Sequence, residues 1–171
     1  RRDKLEKLSI RLGVAFSKLR ISPNQWTLLT LIPAIISLYF ILTQSFLLGA
    51  LFLVIATFID VIDGAVARVT GRVTKLGAYL DTIMDRYVEG IILIGLLFLS
   101  LPDFLVPAKF WICLLLFGSL MTTYVKAAAK EKELVEKELK GGILERAERM
   151  LLLFVGIVLA HFNLAYLVYT I

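Results

Sequence analysis

Cysteine is nearly absent from this sequence, and charge is absent from a long part of it. The single cysteine, Cys113, excludes an internal disulfide and is most simply a small core residue. No charged residue occurs from Ile21 to Ile59, which leaves room for two membrane crossings of roughly 20 residues, separated by the polar break at 43–45. The hydrophobic share of 59% and the mean hydropathy of +0.85 exceed what a soluble domain of this length needs. We therefore predict an integral membrane protein.

The apolar segments also lack the period-two alternation of barrel strands, so the spans are predicted to be α-helices. The first two lie within residues 21–59 and just beyond, and further apolar segments cover 77–101, 107–129, 142–160 and 163–171. The last segment is too short to cross a membrane, so we expect the chain to stop inside a sixth helix. The alternative, one span over 150–171, would put the polar residues 161–163 at its centre. The predicted fold is thus an all-α bundle of six transmembrane helices.

Lys and Arg residues concentrate in three places: the amino-terminal stretch, the link between predicted helices 2 and 3, and the link over 126–149. By the positive-inside rule these segments face the cytoplasm of a multi-pass protein in the cell membrane. Within residues 1–20, apolar residues recur at spacings of three and four between the basic ones, which predicts an amphipathic interfacial helix. These apolar residues are Leu5, Leu8, Leu12, Phe16 and Leu19.

The expected organisation is an interfacial helix over 1–20 followed by a transmembrane catalytic domain over 21–171. Ser22 before Pro23 gives an N-cap and a proline at the first helical position, which is a strong start signal for the first spanning helix. Because the chain begins at Arg1, without Met or a signal-peptide pattern, we expect that something precedes it.

Four aspartates and one arginine lie in or beside segments that otherwise belong in lipid. The chain reads D60-V-I-D63-G64-A-V-A67-R68 and, after eight residues, G77-A-Y-L-D81-T-I-M-D85. Each aspartate near the centre of a spanning helix costs about 2.5–3.5 kcal/mol, so the four together oppose insertion by roughly 10 kcal/mol unless they are compensated. Clustered carboxylates that face a bundle interior indicate a divalent cation such as Mg²⁺ or Mn²⁺.

Spacing predicts that these residues face one another. Asp60 and Asp63 fall on one stripe of predicted helix 2, while Gly77, Asp81 and Asp85 share a stripe of predicted helix 3. A short link makes the two helices antiparallel neighbours, so the stripes form a pocket about a third of the way into the bilayer, open to the cytoplasm. Small residues there serve close packing or leave room for a ligand. They are Gly64, Ala67, Gly77 and Ala78.

A cation beside the carboxylates, Arg68, is better explained by a phosphate-bearing ligand than by a counter-ion alone. Metal, arginine and glycines together indicate a diphosphate. The pattern resembles the signature of the CDP-alcohol phosphotransferase family, D-x2-D-G-x2-A-R-x8-G-x3-D-x3-D, and matches it at each fixed position. The resemblance implies six spanning helices after an interfacial helix, a homodimer, and a reaction in which an acceptor hydroxyl attacks the β-phosphorus of a CDP-alcohol and CMP leaves.

Carried over by position, the resemblance also implies roles for individual residues. Asp60, Asp63 and Asp81 would bind Mg²⁺ or Mn²⁺, and Asp85 would take the hydroxyl proton while also serving a second metal. The residues that would hold the CDP moiety are Pro23, Asn24, Gly64, Ala67, Arg68, Thr74 and Gly77.

The signature does not specify which donor and acceptor alcohols the enzyme joins. Tyr124, Lys126 and the stretch 142–149 are similar to family members whose acceptor is inositol phosphate, in which Lys126, Arg146 and Arg149 would bind the acceptor phosphate. Anchoring at the cytoplasmic face is the simpler role of these cations. Ala128 stands where those relatives commonly have another arginine. The donor is either a CDP-lipid or soluble CDP-inositol, and some members using the latter carry an upstream cytidylyltransferase domain.

Two other interpretations remain open at this stage. A phosphatidylglycerophosphate synthase would share the same catalytic residues and differ only in its acceptor. A cation transporter would also place aspartates inside the membrane, but it needs polar groups in the outer halves of the helices, and the sequence offers none there. It would also have no use for Arg68 among cation ligands. No nucleic-acid partner is expected.

Overall fold

The computed structural model describes residues 2–135 and 145–171, with side chains from residue 7 onwards. Within these residues the chain is helical, and its only bridge joins Phe104 and Val106, outside any strand. The prediction of an all-α architecture is confirmed. The helices are α1 (Arg2–Ser17), α2 (Pro23–Leu29), α3 (Leu31–Leu42), α4 (Phe46–Val69), α5 (Lys75–Leu97), α6 (Ala108–Glu131), α7 (Arg146–Ala160) and α8 (Leu164–Thr170).

Three stretches in the described part of the chain are long and apolar enough to cross a membrane: Pro23–Leu42, Phe46–Val69 and Ala108–Glu131. Many of their large apolar side chains point outward, as Ile32 and Ile35 do with 55% exposure each. Outward apolar side chains in this number suit a lipid environment better than water. Helix α5 carries several charged residues and α7 has only 15 residues. The number of six spans therefore stays a prediction.

The first span begins as the sequence predicts and is then interrupted. The Ser22 hydroxyl accepts the backbone N–H of Gln25, and the Gln25 side chain accepts the N–H of Ser22 at 2.8 Å, which forms a capping box ahead of Pro23. Helix α2 ends at Leu29, four residues before Pro33. Proline has no N–H to give to the carbonyl four residues back, and its ring crowds that carbonyl, so the break between α2 and α3 has a local cause.

The chain divides into two compact units, each drawn from two stretches. The first consists of Arg1–Tyr39 and Leu51–Ile92. Its apolar centre is formed by Trp26, Ile62 and Val66, with Phe16 packed edge-on against the Trp26 ring at 5.6 Å between centroids. Helix α1 thus contributes an aromatic ring to the same cluster as α2 and α4.

The second unit consists of Phe40–Ala50 and Leu93–Ile171. Helices α7 and α8 pack closely in it, because Gly156 leaves space that a β-carbon would take from Thr170 and Leu167. Between them, the Asn163 side chain accepts the N–H of Ala165 at 2.9 Å and caps α8.

Candidate active site

A short link between α4 and α5 is held at both of its ends. Helix α4 ends at Val69, and Gly71 just beyond it has a φ of +66°, which suits a residue without a β-carbon. The Arg72 N–H reaches the Ala67 carbonyl at 3.0 Å. This is the pattern of a Schellman motif. Immediately before α5, the Thr74 hydroxyl accepts the N–H of Gly77 at 3.0 Å, as an N-cap does. The turn therefore brings the start of α5 back beside the end of α4.

Three of the predicted aspartates converge beyond this turn. Asp60 and Asp63 from α4 and Asp81 from α5 each offer a carboxylate oxygen, and these three oxygens lie within 4.8 Å of one another. Asp63 is buried, while Asp60 and Asp81 are half-buried. Asp60 and Asp63 lie three residues apart on α4, and Asp81 faces them from α5. The sequence spacing predicts this cluster.

Asp63 has two polar neighbours. The Thr27 side chain and the Gly64 backbone lie beside its carboxylate. The Thr27 hydroxyl also lies 3.1 Å from the Pro23 carbonyl oxygen, so its single proton serves one acceptor at a time. Asp63 Oδ2 is buried and has no hydrogen-bond partner among the described residues.

This arrangement fits a divalent cation. A buried carboxylate oxygen that lacks a donor and faces two further carboxylates is destabilising by itself, through lost hydration and like-charge repulsion. Both costs are offset when the three oxygens share a hard cation, and carboxylate oxygens are the ligands that Mg²⁺ and Mn²⁺ prefer. The residues present therefore suit a metal of this class.

A cavity of about 550 Å³ opens beside the aspartates. Every residue that the sequence predicts to contact CDP lines it, together with Asp60, Asp63 and Asp81. The predicted CDP contacts are Pro23, Asn24, Gly64, Ala67, Arg68, Thr74 and Gly77. A single space therefore offers three carboxylates, the guanidinium groups of Arg68 and Arg72, and several small residues to one ligand.

Two glycines in the lining stand where a side chain would intrude. A β-carbon at Gly77 would lie 3.2 Å from Thr74 Oγ1 and 3.3 Å from Asn24 Oδ1, which is closer than ordinary contact. At Gly64 it would lie 3.2 Å from Arg68 Nη1. Gly77 thus lets α5 approach the start of α2, and Gly64 gives the guanidinium room.

Asp85 lies one turn beyond Asp81 on α5 and is not part of the three-oxygen group found among the described residues. The stripe continues one more turn to Glu89, which is 1% exposed and pairs with Arg86 at 2.8 Å. Glu89 continues the spacing of four that links Gly77, Asp81 and Asp85, so the sequence contained a signal for it.

The three cations predicted to bind the acceptor lie in the second unit. Lys126 is on α6 and half-buried, and Arg146 begins α7. Arg149 is buried, and its Nη2 donates to Ser119 Oγ at 3.4 Å. Residues 142–144 of the stretch that resembles inositol-phosphate enzymes lie outside the described residues. The acceptor roles stay predictions.

Thr27 also lines the cavity, although the family signature does not include it. It lies one helical turn after Asn24, on the same face of α2, and it is 3% exposed. A polar residue at that spacing inside an apolar span is the available signal.

A model of the CDP-alcohol phosphatidyltransferase family matches residues 20–171. The chain belongs to this family. The prediction made from its signature is confirmed, and with it the prediction of an enzyme. Among curated members of the CDP-alcohol phosphatidyltransferase family, it is 34% identical to archaetidylinositol phosphate synthase of Pyrococcus horikoshii, over 91% of this chain and 79% of that protein.

Two further relatives match this chain over a smaller part of their own length. Archaetidylinositol phosphate synthase of Methanothermobacter thermautotrophicus is 39% identical over 66% of this chain and 53% of its own length. The bifunctional IPC transferase and DIPP synthase of Thermococcus kodakarensis is 36% identical over 68% of this chain and 27% of its own length. The chain therefore spans about half of one relative and about a quarter of the other.

Solved structures of the family share the fold. The phosphatidylinositol phosphate synthase of Mycobacterium tuberculosis with CDP-DAG bound has a TM-score of 0.81 at 24% identity, covering 95% of this chain and 84% of that one. The same enzyme in complex with manganese and citrate has a TM-score of 0.80 at 24% identity, covering 94% of this chain and 79% of that one. Both show that the fold of this chain is shared.

Proposed function

We propose that this protein transfers a substituted phosphate group from a CDP-alcohol to a hydroxyl of inositol phosphate and releases CMP. The observation that carries the proposal is the single cavity in which Asp60, Asp63 and Asp81 face Arg68 and the two glycines. Inositol phosphate as the acceptor is supported by relatives named as archaetidylinositol phosphate synthases.

We assign the roles by position in the cavity. Asp60, Asp63 and Asp81 would hold Mg²⁺ or Mn²⁺, and Asp63 Oδ2 is supported as a ligand atom by its burial without a hydrogen-bond partner among the described residues. When bound, the metal supplies positive charge to the diphosphate and steadies the leaving CMP. Arg68 would donate to phosphate oxygens, and Pro23, Asn24, Thr74 and Gly77 would border the nucleotide at the cavity mouth.

Asp85 is our proposed general base. As the acceptor oxygen bonds to the β-phosphorus, its proton passes to the Asp85 carboxylate, and the bond from that phosphorus to the bridging oxygen breaks with its electron pair going to CMP. A general base contributes about 10²–10⁴-fold in rate. The remaining acceleration comes from positioning and charge complementarity, because this chemistry needs little covalent help from protein groups.

We take a CDP-lipid as the donor, in agreement with the archaetidyl relatives. The bifunctional relative supports a second candidate, a donor of the soluble CDP-inositol type with an upstream cytidylyltransferase domain. The two candidates differ in a simple property of the product, since a labelled inositol phosphate would enter the organic phase only in the first case.

The test is CMP release by purified protein with Mg²⁺ or Mn²⁺, inositol phosphate and either a CDP-lipid or CDP-inositol. We expect release that depends on both substrates and on the metal. Equal turnover with glycerol 3-phosphate in place of inositol phosphate would favour a phosphatidylglycerophosphate synthase-like enzyme. If no CMP were released from any CDP-alcohol and the protein carried cations across liposome membranes, the transporter hypothesis would be favoured over the enzyme.

We propose six spanning helices over 21–171 after an interfacial helix over 1–20, with the active site facing the cytoplasm from the cell membrane and with two copies forming a homodimer. The basic residues near the α4–α5 link, Arg68, Arg72 and Lys75, support the cytoplasmic side. Protease accessibility of this link in sealed vesicles of known orientation tests the topology.

A further inference from the structure

Arg68 is held by a residue from the amino-terminal helix. Its Nη2 donates to Ser9 Oγ at 2.8 Å, across 59 residues of sequence. Ser9 lies on α1, for which the sequence pattern predicts only an anchoring role at the membrane surface. The contact joins that helix to one of the two arginines, Arg68 and Arg72, that line the cavity beside the aspartates.

The contact depends on a close approach of α1 to α4. Gly13 lies one turn after Ser9, on the same face of α1, and it is buried. A β-carbon there would lie 2.5 Å from the Ala65 carbonyl oxygen and 2.6 Å from Val69 Cγ2. Only glycine permits this distance. Gly13 therefore lets α1 pack directly against α4, one turn away from the contact between Ser9 and Arg68.

The guanidinium is constrained on a second side. Gly64 lies under it, and a β-carbon there would approach Nη1 to 3.2 Å. A guanidinium is a planar fork with five N–H donors. With Nη2 bonded to Ser9 and Nη1 above Gly64, the plane of the fork is restrained where Arg68 lines the cavity.

We propose that Ser9 is a positioning residue for Arg68, and that α1, seated through Gly13, is a structural part of the diphosphate site. This inference rests on the proposed function, because it assumes that Arg68 binds the donor's phosphates. It gives α1 a task that anchoring alone does not require. An anchoring helix needs apolar and basic surface, but neither a glycine contact nor a serine directed at a cavity-lining arginine.

The first experiment replaces Ser9 by alanine and measures steady-state kinetics of CMP release. Alanine is a better helix former than serine, so α1 itself is not weakened. We expect the KM for the CDP-alcohol and the Kd for CDP to rise about threefold to tenfold, the range for one lost hydrogen bond to a charged group whose end is partly exposed. The KM for the acceptor and kcat should stay within twofold of wild type.

Matched variants separate positioning from folding. Ser17→Ala removes another α1 hydroxyl, which donates to the Val14 carbonyl of its own helix at 2.9 Å, and it should leave both constants unchanged. Ser9→Thr keeps the hydroxyl and should restore CDP affinity. Equal behaviour of Ser9→Ala and Ser17→Ala, or a failure of Ser9→Thr to restore affinity, would overturn the proposal.

A double-mutant cycle makes the assignment specific. If Ser9 acts through Arg68, Ser9→Ala should have no added effect on CDP affinity in an Arg68→Ala background. Additive effects would show that Ser9 acts elsewhere. Failure of the proposed function would look different, because wild-type protein would then release no CMP, whereas failure of this inference leaves wild-type turnover intact.

Discussion

Gly77 of α5 faces Asn24 of α2 so closely that a β-carbon at position 77 would stand 3.3 Å from Asn24 Oδ1. The start of the first span thereby lies against the start of α5, in the wall of the cavity that both residues line. A glycine in the family signature thus has a packing reason and a ligand-binding reason at the same place.

Replacing Gly77 by alanine should push α5 away from Asn24 and Thr74 by a few tenths of an ångström. We expect the KM for the CDP-alcohol to rise about tenfold, because small displacements of binding groups cost large factors in rate and affinity. Gly90→Ala is the matched control, since a β-carbon there meets nothing within 4 Å on the same helix. Equal kinetics of the two variants would contradict this role of Gly77.

The acidic cluster predicts opposite effects on stability with and without metal. Asp63→Asn removes a buried negative charge that faces Asp60 and Asp81, so the metal-free variant should melt at a higher temperature than metal-free wild type. Mn²⁺ at 100 times its Kd should stabilise wild type by about 2.7 kcal/mol and the variant far less. Thermal unfolding in detergent, with EDTA or Mn²⁺, measures both.

Asp103→Asn is the control for this pair of measurements. Asp103 lies outside the cluster, where its Oδ1 accepts the N–H of Ala108 at 3.1 Å, and asparagine can make the same bond. Its response to Mn²⁺ should equal that of wild type. A metal-free Asp63→Asn variant less stable than wild type would argue against charge repulsion as the dominant cost.

Asp85→Asn should separate binding from chemistry. The three-oxygen group does not include Asp85, so affinity for Mn²⁺ and for CDP should change less than threefold while kcat falls about 10²–10⁴-fold. Titration calorimetry and CMP release give the two quantities. A large loss of Mn²⁺ affinity would instead make Asp85 a metal ligand first, and normal turnover would remove it as the base.

Acceptor binding is tested by Lys126→Ala and Arg146→Ala. If these cations bind the phosphate of inositol phosphate, each variant should raise the acceptor KM about tenfold and leave CDP affinity unchanged, as expected for a lost charge-assisted hydrogen bond. Lys130→Ala, one turn further on α6 and exposed, is the control. Arg149→Ala should also lower stability, because Arg149 is buried beside Ser119.

The ion pair between Arg86 and the buried Glu89 has a structural consequence. Glu89→Ala removes the carboxylate that lies 2.8 Å from the Arg86 guanidinium, and we expect a loss of about 3 kcal/mol in unfolding free energy. Thermal unfolding in detergent measures the change. The double variant Arg86→Met with Glu89→Leu should recover much of the loss, because it replaces both charges by apolar side chains of similar volume. A double variant no more stable than Glu89→Ala would contradict this explanation.

Local sequence signals predict much of the site. Asp60, Asp63 and Asp81 meet because spacings of three and four define helix faces and a short link makes the helices neighbours. The N-cap at Ser22 is likewise predicted, because a serine directly before a proline is typical of a helix start. The contact between Ser9 and Arg68 could not be predicted, since it joins residues 59 apart through a close approach at Gly13 that no periodicity reveals. The break between α2 and α3 was not predicted, because the run around it is uniformly apolar and Pro33 is its only local signal.

The link between α4 and α5, capped by Gly71 at one end and Thr74 at the other, bears on how the site forms. The segment from Asp60 to Asp81 contains only parts of two helices and the turn between them. The position of the metal-binding oxygens therefore depends mainly on contacts between residues that are close in sequence. Contacts of this kind form early, because little chain entropy is lost in closing a short loop. We therefore expect the acidic cluster to assemble as soon as this helical hairpin has entered the membrane, ahead of the carboxy-terminal helices.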